Sequence, residues 1–371
     1  MDINLNEEQE MLRTMARDFL TTECPMTFVK EMVIDERGYT GELWRKMAKV
    51  GWMGLPFPEK YGGTEGSFLD LAVLLEEMGY ACLPGPFFST VVLGGMTIMD
   101  MGNDNQKQEL LSKIIAGDLI ITLALTEPSA TWDADGITVK ATAGNGDYII
   151  SGTKLFVPDA HVADYIICVA RAEEGITLFL VYAKSPGISY TPLKTIAGDK
   201  QCEVVFDNVK LPKGNIIGEL GQGWDGLEGV LRKVTVSKCA EMVGGVQRVL
   251  DMTVEYAKDR VQFGRPIGSF QVIQHYCANM ATSVEACRFV TYEAAWKLDK
   301  GLPSIMGVAV AKAYVSEAFR RTAAMSQQIH GAIGFSEDHD LPLYFKKAKA
   351  SEVMFGDATF HLDKVAHEIG L

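Results

Sequence analysis

The sequence predicts an α+β chain in three successive parts, helical, then β, then helical again. Three observations predict it. Apolar residues recur at helical spacing as far as about Asp118. Short β-like runs punctuated by Gly and Pro then occupy residues 119–223. From Trp224 onward the chain returns to long Ala- and Met-rich stretches that Gly and Pro seldom interrupt.

In the first part, over residues 1–118, Asn6 and Gln9 have the spacing of a helix-capping box, so a helix starts there. Met11, Leu12, Met15, Phe19 and Leu20 follow at helical spacing and predict one apolar stripe. Leu43, Met47 and Val50 repeat the pattern between Glu42 and Val50, and an amphipathic helix is expected over Leu69–Met78, stopping at Gly79. The turn-rich run Gly51–Gly63 between them has little periodicity. In the second part, Ile137–Thr142 and Tyr148–Val157 flank Gly144-Asn145-Gly146-Asp147, a hairpin signal because an Asn-Gly pair accepts the positive φ that tight strand reversal demands. Tyr165–Ala170, Ile176–Tyr182 and Glu203–Phe206 are further strands, enough for a small antiparallel barrel or sandwich. In the third part, residues 224–371, the runs Val243–Tyr256, Gln271–Leu298 and Ser304–Ile329 are long enough and apolar enough for a helical bundle.

Composition narrows the function. With 371 residues, 47% of them hydrophobic, the chain can bury two or three packed layers or domains. A formal net charge of −13 argues against nucleic acid as the main partner, since phosphate neutralisation requires a basic face. Seven cysteines without a C-x-x-C pair suggest neither a zinc cage nor a disulfide framework, and read as small buried hydrophobes in a reducing cytosol. His275 and His330 have no ligand partner at i+4, so no metal site is expected. The opening Met-Asp-Ile-Asn-Leu has no signal-peptide character, and no apolar run reaches membrane-spanning length; a cytoplasmic location is the expectation.

Six motifs then appear in order: Gly51–Gly63; Ala124-Leu125-Thr126-Glu127-Pro128; Ile150–Val157; Phe206–Pro212 with Gly221–Trp224; Arg260–Gly264 with Gln271; and Gln328–Phe335. Their order and spacing, over essentially the whole chain, resemble the acyl-CoA dehydrogenase family. The resemblance implies a helical N-terminal domain, a middle antiparallel β-barrel and a C-terminal four-helix bundle. It also implies non-covalent FAD, an acyl-CoA substrate, an external electron acceptor such as an electron-transfer flavoprotein, and a homotetramer or heterotetramer.

By that resemblance Leu125, Thr126, Phe156, Pro158, Arg260, Phe263, Gln271, Gln328, Gly331 and Asp357 are the FAD contacts, and Trp132, Arg232, Val234, Phe355 and Gly356 border the substrate. The residue types suit the task. A guanidinium offers a pyrophosphate two parallel hydrogen bonds, and aromatic rings wall an isoalloxazine. Taken alone, Arg260 reads as a surface arginine, Phe263 as a core residue and Gly331 as a helix stop; the motif order favours the flavin roles. The family's arginine and glutamines reach the flavin of a neighbouring subunit, hence the oligomer. Arg232-Lys233 with Lys238 is a candidate contact for a CoA phosphate, and a solvated helix face is the rival reading.

The resemblance also exposes a departure. The family removes the proton α to the thioester with a carboxylate while the β-hydride passes to the flavin. Counting without gaps from Gly334-Phe335, its Tyr-Glu-Gly-Thr falls on Met354-Phe355-Gly356-Asp357, so the base position holds Phe355. The alternative base position, on the first helix after the barrel, holds Val234. Neither side chain takes a proton, although the backbone N–H of Phe355 can still serve the thioester oxygen. Pro158 stands where a threonine is common, and Trp132 where a small serine is usual. Glu241 is one replacement candidate, on nearly the same helix face as Val234 but about 10 Å along the axis; an ion pair is its rival reading. Asp357 reads as cofactor or structural before catalytic. Four explanations stay open: a relocated base serving a cyclic or already unsaturated acyl-CoA, a subunit that lends FAD contacts to a base-bearing partner, a flavin oxidase or monooxygenase of this fold, and a scaffold without flavin.

Overall fold

The computed structural model describes residues 5–144 and 146–371. Asn145, on which the hairpin reading leans, and Met1–Asn4 lie outside the described residues. The chain divides into two compact units, one of Met1–Lys30, Ser67–Leu83 and Thr235–Leu371, the other of Glu31–Gly66 and Pro84–Val234.

Helix α1 (Glu7–Glu23) starts on the expected capping box: the Asn6 side chain accepts from the Gln9 N–H, and Gln9 returns a bond to the Asn6 N–H. The apolar stripe differs from expectation, since Met11 and Met15 are 60% and 63% exposed. Leu20 is buried as expected, with Ala16, and polar moorings share the inner face with them. Gln9 Nε2 donates to Asp70 Oδ1 at 2.8 Å, and Arg17 Nη2 donates to Glu77 Oε1 at 3.0 Å. Helices α2 (Met26–Ile34), α3 (Gly41–Lys49) and α4 (Phe68–Tyr80) follow, with two 3-10 turns in the Gly51–Gly63 run. In α3, Leu43 and Met47 are buried as the spacing predicts, whereas Val50 caps the helix and is 50% exposed.

Helix α4 is not amphipathic. Leu71 to Met78 are all buried, Glu76 and Glu77 included, because neighbouring helices of its unit surround it. Each buried carboxylate has partners: Glu76 accepts from Arg288 Nε at 3.1 Å and Tyr292 Oη at 2.7 Å, and Glu77 from Arg17. A π-helical run, Phe88–Gly95, and short helices α5 (Met96–Met101), α6 (Asp104–Gln106) and α7 (Ser112–Ala116) complete the N-terminal third.

The β part is one eight-stranded sheet. Its strands are β1 (Ile121–Ala124), β2 (Lys140–Gly144), β3 (Asp147–Pro158), β4 (Tyr165–Ala172), β5 (Gly175–Tyr182), β6 (Ile188–Leu193), β7 (Gln201–Pro212) and β8 (Ile216–Ile217). They run in the order β6-β7-β3-β2-β4-β5-β8, with β1 beside β4. The expected pairing of β2 with β3 forms, antiparallel and with Gly144 facing Asp147. Two departures are physical. The sheet is not wholly antiparallel, since β4 pairs parallel with β1 and with β2. Strand β6 escaped the sequence reading because its alternation is short: Ile188 and Tyr190 pack inward and Ser189 and Thr191 face out, but Pro192 interrupts the pattern. The core of the sheet gathers Ile150, Ile166, Phe179, Val204 and Phe206.

Helices α8 (Gly223–Asp259), α9 (Gln271–Asp299) and α10 (Ile305–His330) are the long runs read from the sequence; α11 (Leu341–Val353) and α12 (Ala358–Glu368) end the chain. Between α8 and α9 a small hairpin pairs β9 (Val261–Gln262) with β10 (Arg265–Pro266). Helices α4 and α8 approach at two glycines. A Cβ on Gly79 would stand 1.9 Å from the Glu241 carbonyl oxygen, and one on Gly244 1.8 Å from that of Glu76. Backbone cannot yield as a side-chain tip can, so Gly79→Ala is expected to destabilise the helical unit by about 3 kcal/mol, read as a lowered urea midpoint at unchanged slope.

Candidate active site

In the β-containing unit, the segment after β1 is fastened to β3. Leu155 N–H donates to the Thr126 carbonyl at 2.8 Å, and Lys154 Nζ donates to the Leu125 carbonyl at 3.0 Å and to Glu127 Oε1 at 2.7 Å. The Lys154 and Glu127 side chains are 0% and 2% exposed. Glu127 also accepts from the N–H groups of Thr138 and Val139, at 2.8 and 3.1 Å, and from the Thr138 hydroxyl. Burial pushes the Glu127 carboxyl up, but Lys154 and these donors outweigh it and hold the group below its ordinary value. Leu125 and Thr126 are thereby set one strand residue away from Phe156, whose φ of 53° turns the backbone left-handed and leaves its ring 52% exposed. Pro158 ends β3 half-buried, and Trp132 is half-buried in the segment after Pro128. The Glu127–Lys154 pair was missed as a functional feature. Its signal was a lysine amid the otherwise apolar end of a strand, Lys154-Leu155-Phe156-Val157.

In the helical unit, Arg260 follows α8 and accepts the Ile267 N–H on its carbonyl at 2.8 Å, which closes the β9–β10 hairpin. At the hairpin tip Phe263 has φ 54° and is 93% exposed, so it is no core residue; its ring meets Phe270 edge-on, centroids 6.2 Å apart. Gln271 opens α9 and Gln328 lies near the end of α10, both exposed. Among the described residues, the side chains of Arg260, Gln271 and Gln328 make no hydrogen bond or ion pair. Gly331 (φ 66°) terminates α10. Just before it His330 stacks on Tyr256 at 4.3 Å and donates Nδ1–H to the Ser326 carbonyl at 2.8 Å.

A second cluster surrounds residues 354–357. Phe355 and Gly356 both have positive φ, 59° and 92°. The Phe355 carbonyl accepts from His361 Nε2 at 2.9 Å, and the Gly356 carbonyl accepts from Lys312 Nζ at 2.9 Å. Asp357 caps α12, its carboxylate accepting the Phe360 N–H at 2.9 Å. Burial lowers His361 to about 4, so its imidazole is neutral, and lowers Lys312 to about 8. Neither residue was singled out from the sequence, where a lysine inside a long helix looks like any solvated cation.

On α8, Val234 is wholly buried and Glu241 ion-pairs with Lys238. Lys233 is bound to both Asp100 oxygens, at 2.9 and 2.7 Å. Of the three cations offered above for a CoA phosphate, only Arg232 therefore lacks an ion pair among the described residues. Among the described residues no cluster of His, Cys, Asp or Glu is arranged to hold a metal, and no helix is long and apolar enough to cross a membrane.

These side chains fit a flavin dinucleotide. In the β-containing unit the bare ring of Phe156 suits an isoalloxazine face, and in the helical unit the Arg260 guanidinium and the Gln271 and Gln328 amides, without hydrogen bonds or ion pairs among the described residues, suit a pyrophosphate with polar sugar and base edges. Fold and residues define a FAD-dependent oxidoreductase acting on CoA thioesters. The chain belongs to the acyl-CoA dehydrogenase family: the N-terminal domain of that family matches residues 6–118, the middle domain residues 122–209 and the C-terminal domain residues 221–370. It is 31% identical to the probable acyl-CoA dehydrogenase YngJ of Bacillus subtilis (strain 168), over 98% of each chain. It is 32% identical to the cyclohex-1-ene-1-carbonyl-CoA dehydrogenase of Geobacter metallireducens, over 95% of each. Among solved structures, butyryl-CoA dehydrogenase from Megasphaera elsdenii superimposes with a TM-score of 0.93 at 30% identity, covering 100% of both chains. The ChsE4-ChsE5 complex from Mycobacterium tuberculosis gives 0.92 at 29%, covering 100% of this chain and 99% of that one.

Glu127→Gln is expected to strand the Lys154 ammonium and destabilise the β-containing unit by about 3–5 kcal/mol. A carboxyl held below its unfolded value stabilises the fold at pH above that value, and the contribution is lost as pH falls through the folded value. Wild type should therefore lose stability below about pH 4.5, and the variant's denaturation midpoint should vary less across that acid range.

Proposed function

We propose that the chain is the FAD-holding component of an enzyme that oxidises an acyl-CoA thioester to its α,β-unsaturated form, passing electrons to an external carrier such as an electron-transfer flavoprotein. The observation that carries this reading is the turn at Phe355–Gly356, tied down by buried donors yet without a proton-accepting side chain at Phe355, the residue that counting from Gly334-Phe335 sets at the family's base position. Bound FAD supplies the acceptor for the β-hydride. The chain's own residues do the rest. In the helical unit Arg260, Phe263, Gln271 and Gln328 serve a dinucleotide, in the family pattern that of a neighbouring subunit, and in the β-containing unit Phe156 serves a flavin ring. The Phe355 N–H steadies the thioester oxygen as negative charge grows there.

The α-proton goes to a carboxylate at neither 355 nor 234. The Glu241–Lys238 ion pair speaks against Glu241, because its carboxylate is engaged by a lysine of its own helix. That observation favours a mixed oligomer in which a partner chain brings the base. The likeness to a complex of two named proteins, ChsE4 and ChsE5, supports the same reading.

Butyryl-CoA, octanoyl-CoA and cyclohex-1-ene-1-carbonyl-CoA, added anaerobically to the flavoprotein, test it. The chain alone is expected to leave the flavin absorbance unchanged, and the chain co-expressed with a related neighbouring-gene product to bleach it. Bleaching by the chain alone, abolished by Glu241→Gln, would restore a base in cis. A protein that neither copurifies with FAD nor takes it up would end the proposal.

Arg260→Ala is expected to weaken FAD binding about 10- to 100-fold, the loss of one or two charge-assisted hydrogen bonds, measured by flavin fluorescence on titration of the apoprotein.

A further inference from the structure

Lys312 lies about two turns into α10, and its side chain is completely buried. Three oxygens take its ammonium hydrogens: the Ser316 hydroxyl at 3.0 Å, the Glu352 carbonyl at 2.8 Å and the Gly356 carbonyl at 2.9 Å. An ammonium has three donors, so its hydrogen-bonding capacity is filled. Two of the three acceptors are backbone groups at the two ends of one short stretch, Glu352 to Gly356, which joins α11 to α12.

That stretch is strained. Phe355 has φ 59°, a conformation that costs an aromatic residue free energy and persists only where the surroundings over-determine it. The next residue has no alternative to glycine: a Cβ on Gly356 would stand 2.3 Å from the Phe360 ring and 3.0 Å from His361 Nε2. His361 holds the Phe355 carbonyl, and Lys312 holds the Gly356 carbonyl one residue on. Two consecutive left-handed residues thus have both carbonyl oxygens committed to buried donors, which fixes the orientation of the peptide planes through the turn.

Removing a lysine from water is costly, and an apolar side chain would fill a helix interior at lower cost. The expenditure falls on the segment whose backbone, in the function proposed above, meets the thioester oxygen. We infer that Lys312 is a positioning residue for thioester oxidation, holding the Phe355–Gly356 turn so that its backbone presents a preorganised donor to the substrate carbonyl. The inference rests on the functional reading of that turn.

Holoprotein carrying Lys312→Met or Lys312→Gln, with its partner chain where turnover requires one, tests it on the fastest-oxidised of butyryl-, octanoyl- and cyclohex-1-ene-1-carbonyl-CoA. A donor that acts mainly in the transition state lowers kcat and kcat/KM together. Lys312→Met is expected to reduce kcat per bound flavin about 100-fold, in the range of one lost oxyanion donor, while KM changes less than about threefold and FAD affinity is kept. Amide hydrogen exchange should accelerate in residues 353–357 and not along α9. Lys312→Gln, which retains an N–H donor, should recover part of the loss. A clamp with only a structural role predicts the opposite pattern: a lower melting temperature, exchange accelerated across the helical unit, and unchanged kcat per bound flavin. That result would overturn the inference while leaving the functional reading intact. If Lys312→Met yields no folded flavoprotein, Lys312→Gln decides by the same ratio. Wild-type holoprotein that oxidises none of the three thioesters, with or without a partner, would remove the functional reading and the role of Lys312 with it.

Discussion

The Lys154 ammonium, wholly out of water and divided between the Glu127 carboxylate and the Leu125 carbonyl, is the contact on which the arrangement of the β unit's candidate site depends. An isolated charge in such a place would be expelled or neutralised. Here the carboxylate is itself saturated by Thr138 and Val139, so the pair is complete and the segment after β1 has one position available to it. Leu125 and Thr126 are ordinary residues in themselves; their placement comes from a cation two residues before Phe156. Lys312 repeats the device in the helical unit, again with a buried ammonium on backbone carbonyls at a turn. Both turns lie in motifs that the resemblance assigns to cofactor or substrate, and neither is held by apolar packing alone.

Helical spacing made the three long C-terminal helices legible, and the two Gly residues around position 145 disclosed the β2–β3 reversal. These are local signals, decided by neighbours within a few residues. Where the sequence misled, longer-range ties decided. The exposed Met11 and Met15 and the buried Gln9 narrow the stripe read on α1 to residues such as Leu20, because Asp70 and Glu77, some sixty residues away, moor that helix. Helix α4 looked half-polar because Glu76 and Glu77 interrupt it, yet Arg288, Tyr292 and Arg17 allow both carboxylates indoors. Strand β6 pairs with β7 through backbone groups, and only four residues of side-chain alternation, ended by Pro192, announce it.

The candidate site divides the same way. Motif order picked out Arg260, Phe263, Gln271 and Gln328, and exposure without partners is consistent with side chains kept for a ligand. The supporting residues escaped notice. Lys312, His361 and Glu127 act through backbone groups distant in sequence, and a residue type carries no mark of such a partner. The apolar Phe355 was visible at once, but its left-handed backbone and the donors behind it were not. That turn keeps elaborate support although the side chain at its apex can accept no proton.

The close approaches at Gly79, against Glu241, and at Gly244, against Glu76, limit how this interior can diverge. With backbone touching backbone at both sites, even one methyl group would wedge α4 and α8 apart. The gap would open beside Glu76 and Glu77, and solvent would enter a layer whose charges are balanced for dryness. A lineage that enlarged either glycine would have to redesign both carboxylates and their arginines in the same step. Variation among relatives should therefore collect on the watery side of α1 and along the outer strands, and spare this crossing.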